Sequence, residues 1–289
     1  MEKSPLPGAK VFLLGDSGTG KTHSIRTLIA AGVQPFVLAT EPGMRSLSSC
    51  ATPSCSVCRL TPKVDNDTIP WGYVPGSSGN IDILIDQANT VNTHDLKYLC
   101  NLNDTNRKAF NQMVTVLEAI KDFKDHNGKS WGSPLNWNTD RALVLDSWTQ
   151  LTDMSMDLFC GRRPAYDKSD YQVAQRGLKN FFKLLIGLPC HVIVIAHPER
   201  EYNDAASTVQ LTISTVGQKL APQLPPLVDD VIYTKRILDK FVWSTVEPGV
   251  VCKARDLPLR ADMTPNFVPL IAEWQRAGGK ICLTEPLAH

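Results

Sequence analysis

The chain has 289 residues, 43% of them hydrophobic and 20% charged, with a net charge of +1. This balance excludes a disordered chain and supplies an α/β core, while the near-zero charge excludes a global basic field, so nucleic acid would have to meet a local patch. No apolar run approaches the roughly 18 residues of a membrane span, and residues 1–5 lack an apolar leader, so a cytoplasmic protein without membrane contact is expected.

The first informative stretch is Gly15-Asp16-Ser17-Gly18-Thr19-Gly20-Lys21-Thr22, which meets G-x-x-x-x-G-K-[ST] at every specified position. The apolar run Lys10-Val11-Phe12-Leu13-Leu14 before it suits a buried strand. Residues 23–31 follow with Ile25, Leu28 and Ile29 at helical spacing. Strand, glycine loop and helix form the context in which this motif cradles a polyphosphate. Lys21 would reach the β- and γ-phosphates of ATP, and the Thr22 hydroxyl would sit on Mg²⁺. The competing reading is a glycine turn that matches by accident.

A second buried strand is expected over residues 35–40, ending at the turn signal Glu41-Pro42-Gly43. Residues 44–80 lack periodicity and are rich in Ser, Pro, Gly and Cys, which reads as an irregular insertion. Within it, Cys50, Cys55 and Cys58 are close enough to suit tetrahedral Zn²⁺, with His94 or Cys100 as the fourth ligand; the other reading is reduced thiols in a loop. Cys160, Cys190, Cys252 and Cys282 are scattered and read as small core hydrophobes.

Residues 81–85 suggest a short strand. Residues 104–126 carry Phe110, Met113, Val114, Leu117, Ile120 and Phe123 on one stripe, the mark of an amphipathic helix. Residues 141–146 form a third apolar strand closing on Asp146-Ser147. Helices are expected over 149–160 and 170–187. Residues 191–196 form a fourth apolar strand ending at His197. A hairpin arm at 206–215, strands at 228–236, 241–246 and 250–255, and a helix at 267–277 complete the chain. Continuous apolar strands alternating with helices predict a mainly parallel sheet covered on both faces, α/β in class, with antiparallel strands near the C-terminus. No linker separates a second domain, so residues 1–289 read as one ATPase domain.

Ligands of such sheets sit beyond the C-terminal strand ends, where this chain places carboxylates and an imidazole. Asp146 would hold Mg²⁺ with Thr22; otherwise it starts a turn. Glu41 would polarise an attacking water; otherwise it is a turn residue before Pro42. His197 would hydrogen-bond the γ-phosphate, or serve structure. Lys253 and Arg255 alternate on the late strand and share a face. They would stabilise transition-state charge in a neighbouring subunit's site, or lie on a solvated face.

Taken together, these residues resemble the RecA-like P-loop ATPases: a glycine loop, a strand ending in Glu41, Asp146-Ser147, a strand ending in His197, and a late Lys253-x-Arg255. The resemblance is closest to phage-encoded RecA-like single-strand annealing and AAA-type ATP-binding proteins. It rests on Val144-Leu145-Asp146-Ser147, on Ala196-His197, and on the segment 217–229 before two strands, and it covers about residues 9–260. It implies a catalytic Glu41, a γ-phosphate sensor at His197, fingers acting in trans at Lys253 and Arg255, and a homo-oligomeric ring or filament. It also implies single-stranded DNA contact by two loops, 161–171 and 198–217. The first holds Arg162, Arg163 and Lys168 beside Tyr166 and Tyr171; the second holds Arg200 and Tyr202. Cations to track phosphates and rings to stack bases suit single strands. The expected function is ATP-dependent DNA binding in phage-type recombination or annealing. A helicase-like ring ATPase, or a nucleotide switch that does not bind DNA, remain the alternatives.

Overall fold

The computed structural model describes residues 4–48, 50, 55–64, 68–75, 81–100, 112–160, 166, 168–203, 208–217 and 219–286. In chain order the elements are β1 (Lys10–Leu14), α1 (Lys21–Ser24), α2 (Thr27–Ala30), β2 (Gln34–Ala39), α3 (Ser56–Leu60), β3 (Trp71–Tyr73), α4 (Ile81–Thr93), α5 (Leu96–Cys100), α6 (Gln112–Lys121), β4 (Arg141–Asp146), α7 (Trp148–Cys160), α8 (Lys168–Ile186), β5 (His191–Ala196), β6 (Pro198–Asn203), β7 (Thr208–Ile213), β8 (Asp230–Ile237), β9 (Lys240–Ser244) and α9 (Val268–Arg276). Seven strands form one sheet in the order β3-β2-β4-β5-β1-β8-β9. Every pairing is parallel except β8 with β9. β6 and β7 make a separate antiparallel pair.

The apolar strands read as unbroken runs because both faces of the sheet are covered. Alternate residues point to opposite faces. Phe12, Leu14, Phe36, Leu143 and Val194 pack with Val116 of α6, Leu151 of α7 and Leu178 and Phe182 of α8. Val11, Leu13, Val37, Val144 and Ile193 pack with Ile25, with Leu28 of α2 and with Ile271 and Trp274 of α9. Phe12 and Phe182 stack at 5.3 Å between ring centroids, and Trp148 meets Phe182 edge-on at 5.4 Å. Each such side chain contributes about 1.5–3 kcal/mol of burial. The strand ends beyond this core are therefore held rigidly relative to one another.

Several elements differ from the sequence expectation. Residues 81–85, read as a strand, open helix α4; five residues are too few to separate the two periods, and the polar run after them continues the helix. The segment 44–80 is more ordered than expected: it contains a 3-10 turn (Met44–Leu47), α3, and β3, which adds an edge strand beside β2. A three-residue strand containing Gly72 carries no periodic signal. The helix expected over 23–31 is two single turns, α1 and α2, with Ile25 and Arg26 between them still in the right-handed helical region. Residues 250–255 do not form a strand; Lys253 makes one isolated antiparallel bridge to Val231. The hairpin arm starts earlier than residue 206, at Pro198, and pairs Arg200 with Leu211. Helix α6 covers only Gln112–Lys121 of the amphipathic stretch: residues 122–126 leave the helix, Lys124 bridging Ser130 while Phe123 stays in the core, and residues 104–111 of that expectation lie outside the described residues.

Candidate nucleotide-binding site

The glycine loop leaves β1 at the C-terminal edge of the sheet. Its first residue stays tied to the neighbouring strand, Gly15 N–H donating to the Ala196 carbonyl at 3.3 Å. A Cβ at Gly15 would come within 2.2 Å of Thr234 Oγ1. Thr19 Oγ1 braces the loop from within, 2.8 Å from the Asp16 carbonyl oxygen and 2.7 Å from Thr234 Oγ1. Gly20 has φ 85°, a left-handed conformation, and faces the Phe241 ring. Lys21 is 6% exposed, and its ammonium donates to the carbonyls of Gly15 at 2.5 Å and Asp16 at 2.8 Å. Burial holds its pKa below the ordinary lysine value, against the pull of Asp146, Glu41 and Asp16.

Sheet order explains why the other groups meet this loop. β5 lies between β1 and β4, and β2 lies beyond β4. Their C-terminal ends carry His197, Asp146 and Glu41. Strands sit about 4.8 Å apart, so β1 to β2 spans roughly 14 Å. Helix α1 crosses part of that span and places Thr22 over β4. Thr22 Oγ1 donates to Asp146 Oδ2 at 2.6 Å. Asp146 is 6% exposed, and burial raises its carboxyl pKa, the Thr22 hydrogen bond opposing the rise. Among the described residues its side chain accepts a hydrogen bond from Thr22 alone. One neutral donor does not compensate a buried carboxylate. A divalent cation beside Thr22 and Asp146 would, so this oxygen pair fits Mg²⁺.

Glu41 is held from both sides. Ser147 Oγ donates to Glu41 Oε1, and His197 Nε2 lies 3.4 Å from Glu41 Oε2. The His197 contact, ahead of the Ser147 bond and the Lys21 charge, keeps the Glu41 carboxyl below its ordinary pKa, while burial opposes it. Thr40 Oγ1 bonds both the N–H and the carbonyl of Ser147 at 2.9 Å, locking the β2 end to the β4 end. Thr149 Oγ1 accepts from the His197 backbone N–H at 2.9 Å. The loop, Glu41, Asp146 and His197 line one cleft of about 420 Å³.

The structure also brings in residues that sequence reasoning missed. Arg45 and Phe241 line the same cleft. Arg26, fully buried, donates to the carbonyls of Leu47, Thr61 and Val64, so the segment after Glu41 is fastened to the helix after the loop. His23, one residue past Thr22, reaches Cys55 Sγ at 3.4 Å and Cys58 Sγ at 3.3 Å. His23, and not His94, is therefore the histidine that adjoins the cysteines. His94 is exposed, contacts Thr93 Oγ1 and the Thr90 carbonyl, and stacks on Tyr98. The Cys100 side chain lies outside the described residues. No spacing rule links His23 to these cysteines, because only the packing of α1 against the segment 44–64 joins them.

Lys253 and Arg255 are not brought to the cleft of their own chain. Lys253 Nζ donates to the Val228 carbonyl at 2.5 Å, and Arg255 Nη1 pairs with Asp229 Oδ1 at 2.6 Å. Asp229 in turn accepts from the Lys10 backbone N–H at the start of β1, about 13 Å down the strand from the loop. Of the DNA candidates, Arg162 and Arg163 lie outside the described residues. Lys168 is exposed at the start of α8 and Arg200 is exposed on β6. Tyr166 and Tyr171 meet edge-on at 6.3 Å beside Asp153, Asp157 and Glu199.

No helix among the described residues is long and apolar enough to cross a membrane. Comparison with curated proteins finds no match. The family model for an AAA domain matches residues 7–255, from just before β1 through Arg255. The loop, the strand order and the strand-end carboxylates all fall within that match, and the chain belongs to this AAA-domain family of P-loop ATPases.

Proposed function

We propose that the protein binds ATP with Mg²⁺ at the cleft and hydrolyses it. The observation that carries this reading is the convergence of Thr22 and Asp146 with Glu41 and His197 on one wall of the cleft that the glycine loop closes. The glycine loop wraps the phosphates, and Lys21 turns its ammonium from the loop carbonyls to the β- and γ-oxygens. Thr22 and Asp146 hold Mg²⁺, which would neutralise charge developing on the phosphates. Glu41, kept ionised, accepts a hydrogen bond from the attacking water and orients it. His197 touches Glu41 directly, so contact with a γ-phosphate at His197 would be relayed to the residue that aims the water.

We further propose that the protein acts on single-stranded DNA, in recombination or annealing, as a homo-oligomer. Strand β6 supports this. Alternation puts Arg200 and Tyr202 on one face and Glu199 and Glu201 on the other. Tyr202 is 59% exposed, so a cation and a ring share an open face suited to a single strand. Arg255, which is exposed and far from its own cleft, would act in a neighbour's cleft after releasing Asp229. A DNA-free nucleotide switch is favoured by the carboxylates Asp153, Asp157 and Glu199 around Tyr166 and Tyr171.

ATP turnover with and without single-stranded DNA, at two salt concentrations, tests both readings. Stimulation that fades with salt and is lost in Arg200→Ala supports DNA action. Turnover indifferent to DNA supports the switch, and ATP-driven unwinding would identify a helicase. Retained turnover in Lys21→Ala would overturn the site itself.

A further inference from the structure

Cys50, Cys55, Cys58 and His23 offer one ligand atom each, and the four atoms all lie within 4.8 Å of one another. Cys50 Sγ is 3.5 Å from Cys58 Sγ, and His23 Nε2 is 3.3 Å from Cys58 Sγ and 3.4 Å from Cys55 Sγ. Zn–S bonds of ~2.3 Å and Zn–N bonds of ~2.0 Å give tetrahedral edges of roughly 3.8 Å between sulfurs and roughly 3.5 Å between sulfur and nitrogen. These three separations are within a few tenths of an ångström of those edges. The cysteines are free thiols, so no disulfide holds them together.

The histidine is oriented for ligation. Its Nδ1 lies 2.8 Å from the Ser46 carbonyl, which can only accept, so Nδ1 carries the proton and Nε2 presents its lone pair to the thiols. His23 is 6% exposed and Cys55 is 7% exposed, so two of the four ligand side chains are withdrawn from water. Three thiolates around a divalent ion leave a net charge of −1. Arg26 supplies the opposite charge: it lies close enough to bear on His23, and its guanidinium is fully buried under the same segment.

We propose that His23, Cys50, Cys55 and Cys58 form a structural zinc site that clamps the segment 44–64 onto the helix carrying Lys21 and Thr22. The site stands independently of the nucleotide reading, but it touches the same machinery. His23 follows Thr22 directly, and Cys50, Ser46 and Arg45 line the nucleotide cleft. Each thiol gives up its proton to solvent as the ion binds, so loading releases protons. Leu47, Val57 and Val64 are buried and Arg26 bonds the Leu47, Thr61 and Val64 carbonyls, so the ion would add a cross-link at Cys50, Cys55 and Cys58 to a segment already anchored on either side of them.

The test uses untagged full-length protein purified without chelator. Elemental analysis is expected to give about one zinc per chain. Replacing zinc with Co²⁺ is expected to give the ligand-field bands of a tetrahedral thiolate site. Chelation is expected to expose three further reactive thiols and lower the thermal midpoint, with recovery on adding Zn²⁺ but not Mg²⁺. Cys50→Ser, at the exposed ligand, is expected to weaken zinc affinity at least tenfold without unfolding the chain, and His23→Ala to do so more severely. Full-length protein with no stoichiometric zinc and three freely reacting thiols would overturn the proposal. So would a Cys50–Cys58 disulfide by mass spectrometry, or iron in place of zinc. These readouts do not require ATP binding, so their failure is separable from failure of the nucleotide site.

Discussion

Glu41 Oε2 lies 3.4 Å from His197 Nε2, although the strands that carry them are separated by β4. The contact crosses two strand spacings, about 10 Å of sheet, through side chains alone. Between them Ser147 occupies the other oxygen of Glu41. A carboxylate held at both oxygens has a defined direction, which the water-orienting role proposed for Glu41 requires.

Glu41→Gln is therefore expected to lower ATP turnover about 100-fold or more while nucleotide affinity stays within a few-fold. Steady-state turnover beside fluorescent-nucleotide titration checks the split. His197→Ala removes the leading influence that holds the Glu41 pKa down. The Glu41 pKa then rises, and the acid limb of the turnover profile is expected to move to higher pH. An unmoved limb would detach His197 from Glu41.

Asp146→Asn is expected to separate stability from function. Burial raises the Asp146 pKa, so the ionised form costs the metal-free fold stability. Asn keeps an acceptor for Thr22 and removes the charge. In buffer without added Mg²⁺ and without chelator the variant is expected to melt at or above the wild-type temperature. Mg²⁺ is expected to strengthen nucleotide binding about tenfold or more in the wild-type chain and to have little effect in the variant.

Gly20→Ala meets two obstacles. The backbone at φ 85° costs an L-residue about 1–2 kcal/mol. The new Cβ would also come within 2.8 Å of the Phe241 ring. Loss of nucleotide binding with a lowered melting temperature is expected. Adding Phe241→Ala should restore the part due to the ring and leave the part due to the backbone, and denaturant titration of the single and double variants measures both.

His191 predicts a pH effect outside the cleft. Its Nδ1 accepts from the Ala9 N–H at 2.9 Å, and burial, aided by the Lys10 charge, lowers its pKa from 6.5 to about 3. The unfolded chain takes up a proton that the native ring refuses. Its contribution is complete above pH 6.5 and is lost progressively as pH falls toward 3. At pH 5 the loss from this residue is about 2 kcal/mol. His191→Asn, which keeps an acceptor but does not titrate, is expected to flatten the acid side of the stability curve, as read by chemical denaturation at pH 7 and pH 5.

Much of the sheet was legible because burial on both faces makes a strand uniformly apolar. Residues 10–14, 141–146 and 191–196 are read directly from such runs and match the observed strands. The short or polar pieces were not legible. β3 is three residues around Gly72, and the stretch at 81–85 opens a helix, because local propensity over five residues is weaker than the context that decides it. Lys253 and Arg255 were visible as a basic pair. Their distance from their own cleft was not, since it depends on where residues 250–255 lie against β8.

The sequence alone determined the glycine loop, the class of the sheet and the polar groups at the ends of its strands, because backbone chemistry and burial leave local, periodic marks. Only the tertiary structure decided which of those ends adjoin. Placing β5 between β1 and β4 brings Glu41 to His197, and packing α1 on the segment 44–64 brings His23 to Cys55 and Cys58. Those contacts join residues far apart in the chain, and no local pattern encodes a distance that exists only once the core has closed.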